Sequence, residues 1–569
     1  MSDHREEDRF AGADPELGEE AVRGLSGGPG APTREGHPPG LWVLFITEMW
    51  ERFSYYGMRA LFVLYLTAST APFVEENVKN ANPGFGWSDA DAYTLYGVYT
   101  FMVYLTSIFG GIAADRLLGT HRSMLIGGWV IALGHITLAL GEFFKIEPNS
   151  VVSMSTGAGS LLTFLLGCTF IIIGTGFFKP CVSVMVGQMY GENDPRRDSG
   201  FTIFYMGINL GAFFSPLVAG WLGEKVGWHW GFGSAAVGMI VGLIFYQLFR
   251  GRYLGKIGAP PEEPLTGNTK ALVTTAMIGL LAIPTIPLIL YATNNLGPIE
   301  DAWSWTTGKL GSIGTPIAFT LMLLVVIAAF LAMQKPGERS RLGVIFILAF
   351  FGNIFFWSAF EQAGSSLNIF AADSTDRTLF GLFKDGFPAS WYQSVNPLSI
   401  LIFAPIFSWL WVFLDRKRAN PSTPMKFAIG LWLLGLAFLA MVFGSLQARD
   451  GGKAGPHWLL ISYVVMTWGE LCLSPVGLSM VTKLSPKRLQ SLMMGLWFFS
   501  LALSNLSAGL VARLSTEFLP GENGEAAKRT FIMEGLPGFF LMLVIFPIAA
   551  GLVVAVLTPV LRKMMRGIH

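Results

Sequence analysis

From Leu41 almost to the C-terminus, long apolar blocks alternate with short polar stretches. Each block runs to about 20 residues or more, enough to cross ~30 Å of hydrocarbon at 1.5 Å per residue. The pattern predicts fourteen membrane-spanning helices, near 41–68, 92–114, 122–142, 159–188, 200–222, 229–249, 271–292, 314–333, 342–371, 391–414, 425–446, 457–482, 489–515 and 533–561. The first differs from the rest. It contains TEMWERFSYYGMR, residues 47–59, with two glutamates and two arginines inside an otherwise oily run. An ionisable group at the bilayer centre costs roughly 2.5–3.5 kcal/mol on insertion scales, so four together need a functional reason.

Composition supports this reading: 52% of the chain is hydrophobic and 14% charged, where a soluble protein carries roughly 25% charge. Mean hydropathy is +0.51. A net charge of +1 and the lack of a basic tract argue against a nucleic-acid partner. Cys168, Cys181 and Cys472 fall in apolar segments without metal-ligand spacing and read as small buried hydrophobes. His135, the one histidine deep in a span, reads as structural. The loops offer no nucleophile–His–acid set and no metal cluster, so an enzyme is not expected. Residues 1–40 are rich in Gly, Pro and charge, and should form a disordered tail. No cleaved signal peptide precedes the first span, which itself serves as the insertion signal.

An even number of spans puts both termini on one side. Loops on that side hold 21 Lys and Arg against 11 on the other, counted outside residues 1–40, so both termini are expected in the cytoplasm. The chain also echoes itself. GGIAADRLLGTHR (110–122) and WVFLDRKR (411–418) place an Asp-Arg pair where two six-helix halves would correspond, and duplicated halves around a shared site are a common transporter design. Spans seven and eight lack strong internal charges and read as a linking pair. The expected organisation is a tail at 1–40, a six-helix bundle at 41–250, a linker with two extra helices at 251–341 and a second bundle at 342–569.

On a helix of 3.6 residues per turn, Glu48, Glu51, Arg52, Tyr55 and Arg59 fall within about 100° of arc. Four charges and a phenol thus line one face, with Glu48–Arg52 an i,i+4 pair. A salt-bridge cluster needed only for packing would not demand groups this costly, so a polar cavity lining is the better reading. Other spans supply Lys179 beside Pro180, Glu361, and Glu470 with Ser474 and Pro475 close by. Asn209 and Asn396 add neutral donors and acceptors. Basic groups concentrate in the first half and two lone acids in the second, a polarity that suits a zwitterion.

Four motifs, each on its expected span, give the chain a strong resemblance to the proton-dependent oligopeptide transporters of the major facilitator superfamily. They are ExxERFxYYG at Glu48–Gly57, GTGFFKPxVSxxxGxxY at 174–190, FYxxINxGA at 204–212 and GELxLSPVGLS at 469–479. The likeness spans about residues 41–561. It implies that Arg59 and Lys179 face a peptide's carboxyl end, and Asn209, Asn396 and Glu470 its amino end. It implies side-chain pockets lined by Tyr55, Tyr56, Tyr104, Trp357, Ser474 and Trp497. Proton coupling would rest on Glu48, Glu51, Arg52, Lys179 and Glu361. Gating salt bridges would be Arg59–Glu361 outside and Lys179–Glu470 inside. The loop at 447–456 is too short for the large outer domain of animal relatives, and Gly97 stands where those carry a histidine.

The expectation is an all-α major facilitator protein of the cell inner membrane that imports di- and tripeptides with protons. The proton gradient supplies the driving force, no cofactor is needed and no obligatory protein partner is implied. The alternatives are a relative carrying nitrate or another small metabolite, and a peptide-binding nutrient sensor.

Overall fold

The structure is a computed structural model that describes residues 36–70, 82–144, 146, 149–190, 194, 196–260, 267–292, 324–379, 381–486, 489–520 and 527–567. Most of the expected tail and the first part of the eighth span, 314–323, lie outside the described residues. The described chain is helical. Two isolated bridges, Thr375–Ala454 and Phe531–Met533, are its strand-like pairings among the described residues. Helices are what a chain in lipid must form, because hydrocarbon satisfies no backbone N–H or C=O.

The first half contains α1 (Gly40–Thr67), α2 (Asp89–Ala113), α3 (Gly119–Ala139), α4 (Ala158–Gln188), α5 (Arg197–Ser215) and α6 (Trp228–Tyr253). The helical stretch Asp89–Phe143 is 55 residues long, about 80 Å at 1.5 Å per residue, and so makes two crossings. α1 packs between α5 and α6, while α4 packs against α2 and α3.

α7 (Gly267–Ala292) leans on the first half, with Gly279 against Phe109 and Leu280 against Gly176. The second extra helix is seen only in its last turns, at 324–332.

The second half begins with a helix that the sequence reads as continuous and the structure breaks. α8 (Pro336–Leu348) passes through a widened turn at Ala349–Phe355 into α9 (Phe356–Phe360). A tight turn at Glu361–Gly364 then leads to α10 (Ser366–Asp373). After a short turn at Ala389–Ser394 come α11 (Val395–Arg416), α12 (Thr423–Gln447), α13 (Pro456–Leu484), α14 (Gln490–Ser515) and α15 (Leu536–Met564). α12 packs against α13 and α15, and α9 against α14. Beyond α5, the widened turns Pro216–Gly220 and Leu222–Val226 form a second irregular region. Such turns inside helices are rare and favour functional positions.

The halves meet chiefly through α2 with α14 and α5 with α11. At the first crossing the backbones touch. A Cβ on Gly97 would stand 2.9 Å from the Cα of Gly509, and one on Gly509 would stand 2.7 Å from the Cα of Gly97. This is the close approach that small residues permit between membrane helices. It also gives a packing reason for glycine at position 97.

Candidate substrate and proton site

Six ionisable side chains are buried within the two bundles, where core positions almost never hold charge unless it is paired. Glu48, Glu51, Arg52 and Arg59 come from α1, Glu361 from the break after α9 and Glu470 from α13; none is more than 7% exposed. Lys179 on α4 is half-buried.

On α1 the charges pair locally. Arg52 Nε lies 3.0 Å from Glu48 Oε1 and also contacts Glu51. The Arg52 guanidinium stands 5.5 Å from the centroid of the Tyr55 ring. One Glu51 oxygen and two Arg52 nitrogens lack well-directed hydrogen bonds within the protein. The cluster is therefore paired in charge but not saturated in hydrogen bonds. That leaves it donors and acceptors for a proton or a ligand.

One turn on, Arg59 reaches across the halves. Its guanidinium makes a salt bridge with Glu361, and its Nε donates to the Tyr96 hydroxyl at 2.7 Å. The tight turn makes this possible, because a Cβ on Gly364 would come within 2.1 Å of the Tyr96 oxygen and 3.0 Å of Arg59 Nε. Around the pair, more cross-half contacts gather. Asn368 Nδ2 donates to the Ala60 carbonyl at 3.0 Å. Glu224 accepts from the backbone N–H groups of Ala389 (2.8 Å) and Ser390 (3.0 Å). Trp391 Nε1 donates to the Leu217 carbonyl at 3.2 Å, and Ser394 Oγ to that of Phe213 at 2.8 Å. All lie toward the end of the bundle away from the chain termini.

The expected second gate is different. Lys179 and Glu470 form no ion pair in this conformation. Lys179 Nζ rests 3.3 Å from the centroid of the Tyr104 ring, a cation–π contact inside its own half. Glu470 accepts from Asn396 Nδ2 at 2.8 Å, also inside its own half, and Asn396 donates to Thr467 Oγ1 at 2.9 Å. A second gate pair would have to break both arrangements. Of the two expected gate pairs, only Arg59–Glu361 is formed here.

The remaining expected residues divide. Tyr56 is half-buried, with the Arg59 guanidinium 5.7 Å from its ring centroid. Trp357 and Ser474 are half-buried, whereas Asn209 is 4% exposed and donates to the Tyr205 carbonyl of its own helix at 2.9 Å. Trp497, expected to line a pocket, is packed within the second half beside Phe427 and is also 4% exposed. The sequence missed Tyr96, Asn368 and Glu224. Tyr96 and Asn368 looked like ordinary span residues, and Glu224 like a loop charge. His135 is fully buried, as a structural residue should be, although neither ring nitrogen has a protein partner.

Two helical bundles facing each other across a charged interface, latched at one end, define a secondary transporter of the major facilitator type. The chain belongs to the POT family, whose sequence model matches residues 121–525. It is 38% identical over 499 residues to a peptide transporter of Yersinia enterocolitica, covering 85% of this chain and 89% of that one. It is 35% identical over 519 residues to a di-/tripeptide transporter of Lactococcus lactis subsp. cremoris, covering 90% and 96%. A crystal structure of a peptide transporter POT in complex with sulfate matches with a TM-score of 0.73 at 35% identity, over 94% of this chain and 97% of that one. The protein is thus a multi-pass membrane transporter and not an enzyme.

Proposed function

We propose that the chain imports di- and tripeptides together with protons across the cell inner membrane, with both termini in the cytoplasm. The observation that carries this reading is the unequal state of the two gates: Arg59–Glu361 is closed, while Lys179 and Glu470 stand apart. In that orientation the structure is closed outside and ready to open inside. The relatives' names support a peptide substrate. A peptide zwitterion also suits the split of bases and acids across the interface, with Arg59 and Lys179 for its carboxylate and Glu470, Asn396 and Asn209 for its ammonium. A nitrate carrier would have no use for Glu470.

Proton coupling follows from competition. Protonating Glu361 would remove the charge that holds Arg59, and a peptide carboxylate would compete for the same guanidinium. One proton carried with a zwitterion moves net charge +1 inward, favourable by about 2.3 kcal/mol per 100 mV. The driving force is then the proton gradient alone, with no cofactor.

The test is uptake of labelled di-alanine into liposomes holding the purified protein, with and without an inward proton gradient. Concentrative uptake only with the gradient is expected. Equal uptake in both conditions would remove proton coupling, and peptide binding without any uptake would favour a sensor. Glu51→Gln sharpens the result. Glutamine keeps the volume and hydrogen bonding but exchanges no proton. The variant should lose gradient-driven uptake yet keep peptide counterflow. Loss of both together, with a lowered melting temperature, would make Glu51 a folding residue.

A further inference from the structure

A second charged feature lies at the terminus side of the second half, away from the central interface. After α15 the chain turns through Arg566 at φ +53°. A left-handed residue just past the C-cap is a common way to end a helix and reverse the chain. The turn brings the guanidinium back over the start of α8. There Arg566 Nη1 lies 3.0 Å from where a Cβ on Gly337 would stand, so the guanidinium rests against the first turn of α8.

Lys335, Gly337, Glu338, Arg341 and Arg566 line a single cleft of about 330 Å³. Three cations against one carboxylate leave it positive. Arg339, close by, is occupied with the carbonyls of Leu331 and Ala332. The two segments that supply the cleft also expose apolar side chains: Met333, two residues before Lys335, is 83% exposed, and on α15 Val556 is 76% and Val560 53% exposed. Val556, Val560 and Lys563 follow at helical spacing, so one stripe of α15 leads from lipid-facing side chains to the basic end.

We propose that this cleft binds the phosphate of an anionic phospholipid headgroup, with the acyl chains along Met333, Val556 and Val560. Guanidinium groups hold phosphate oxygens through charge-assisted, often paired hydrogen bonds. Free phosphate would use the cations but leave the apolar stripe bare; a phospholipid uses both. The lipid would bridge the ends of α8 and α15, just where the chain enters the broken helix that carries Glu361.

The test is native mass spectrometry of the full-length purified protein in neutral detergent. It is titrated with phosphatidylglycerol, with phosphatidylcholine, and with phosphatidylglycerol in the presence of inorganic phosphate. Phosphatidylglycerol should bind clearly tighter than phosphatidylcholine. Arg341→Gln and Arg566→Gln should each weaken it about fivefold, the usual worth of one basic residue at a membrane surface. Equal phosphatidylglycerol affinity in the wild type and the Arg341→Gln/Arg566→Gln double variant would overturn the proposal. So would displacement by inorganic phosphate with no preference between the two lipids, which would make the cleft a free-anion site.

Discussion

The two ends of the interface between the halves hold similar chemistry in opposite ways. At the end away from the termini, a base of the first half meets an acid of the second: Arg59 grips Glu361, and Glu224 accepts from two backbone N–H groups across the boundary. At the other end each charge has turned inward. Lys179 lies on Tyr104, and Glu470 is held by Asn396. The lesson is that the resting partners matter as much as the gate partners. A gate can open without stranding a charge only if each half keeps a local partner in reserve, because an unpaired buried ion costs several kcal/mol. On the proposed function, Tyr104 and Asn396 would be those reserves.

The largest effect should come from removing the unlatched base. On the proposed function, Lys179→Ala would leave Glu470 without a gate partner and a peptide carboxylate without one of its cations. Gradient-driven uptake should fall by roughly 100-fold, the equivalent of about 3 kcal/mol. Wild-type accumulation by this variant would break the comparison.

Next comes the latch. Glu361→Gln keeps the side-chain volume but leaves Arg59 a neutral partner, so the closed end should loosen. Spin labels at Asp91 and Thr516, one on each half, should then gain a longer-distance population. An unchanged distance distribution would show that Glu224 and the glycine crossing hold that end without the salt bridge. The native cysteines are buried and would not compete for label.

Gly97→Val tests the crossing itself. Its Cβ alone would stand 2.9 Å from Gly509, and overpacking of this kind costs typically 1–3 kcal/mol. Uptake should drop about tenfold, the equivalent of about 1.4 kcal/mol, with the label distance lengthened as for Glu361→Gln. A variant with normal uptake and normal distances would mean the helices can part there freely.

The smallest effect concerns substrate choice. Glu470→Gln should weaken competition by dipeptides with a free amino terminus by roughly tenfold, as expected for loss of one charged hydrogen bond. N-acetylated dipeptides should be affected less. Equal losses for both would assign Glu470 to gating instead.

Much of this was legible in the sequence, because lipid makes charge conspicuous. α1 was expected at 41–68 and runs Gly40–Thr67; the span expected at 457–482 runs Pro456–Leu484. Glu48, Arg52, Arg59, Glu361 and Glu470 were singled out because hydrocarbon tolerates ions only for a reason, and all lie buried. The breaks around Glu361 were not legible. No proline marks 349–364, and the backbone departs from the α-helix there to fit Arg59 and Tyr96, a tertiary demand that local pattern does not carry. Which state each gate occupies was equally hidden. Lys179 was paired with Glu470 and Tyr104 was expected only to line a pocket, and nothing local in the sequence puts the Lys179 ammonium on the Tyr104 ring.

The crossing of α2 and α14 has one more consequence. Side chains interlocked like teeth fix two helices in a single register, and moving them means climbing out of one notch into another. At Gly97 and Gly509 there are no teeth, only two smooth backbones in contact. Such a joint resists being pulled apart but offers little resistance to rolling. On the proposed function it would serve as a bearing, on which each half tilts while the contact point scarcely travels.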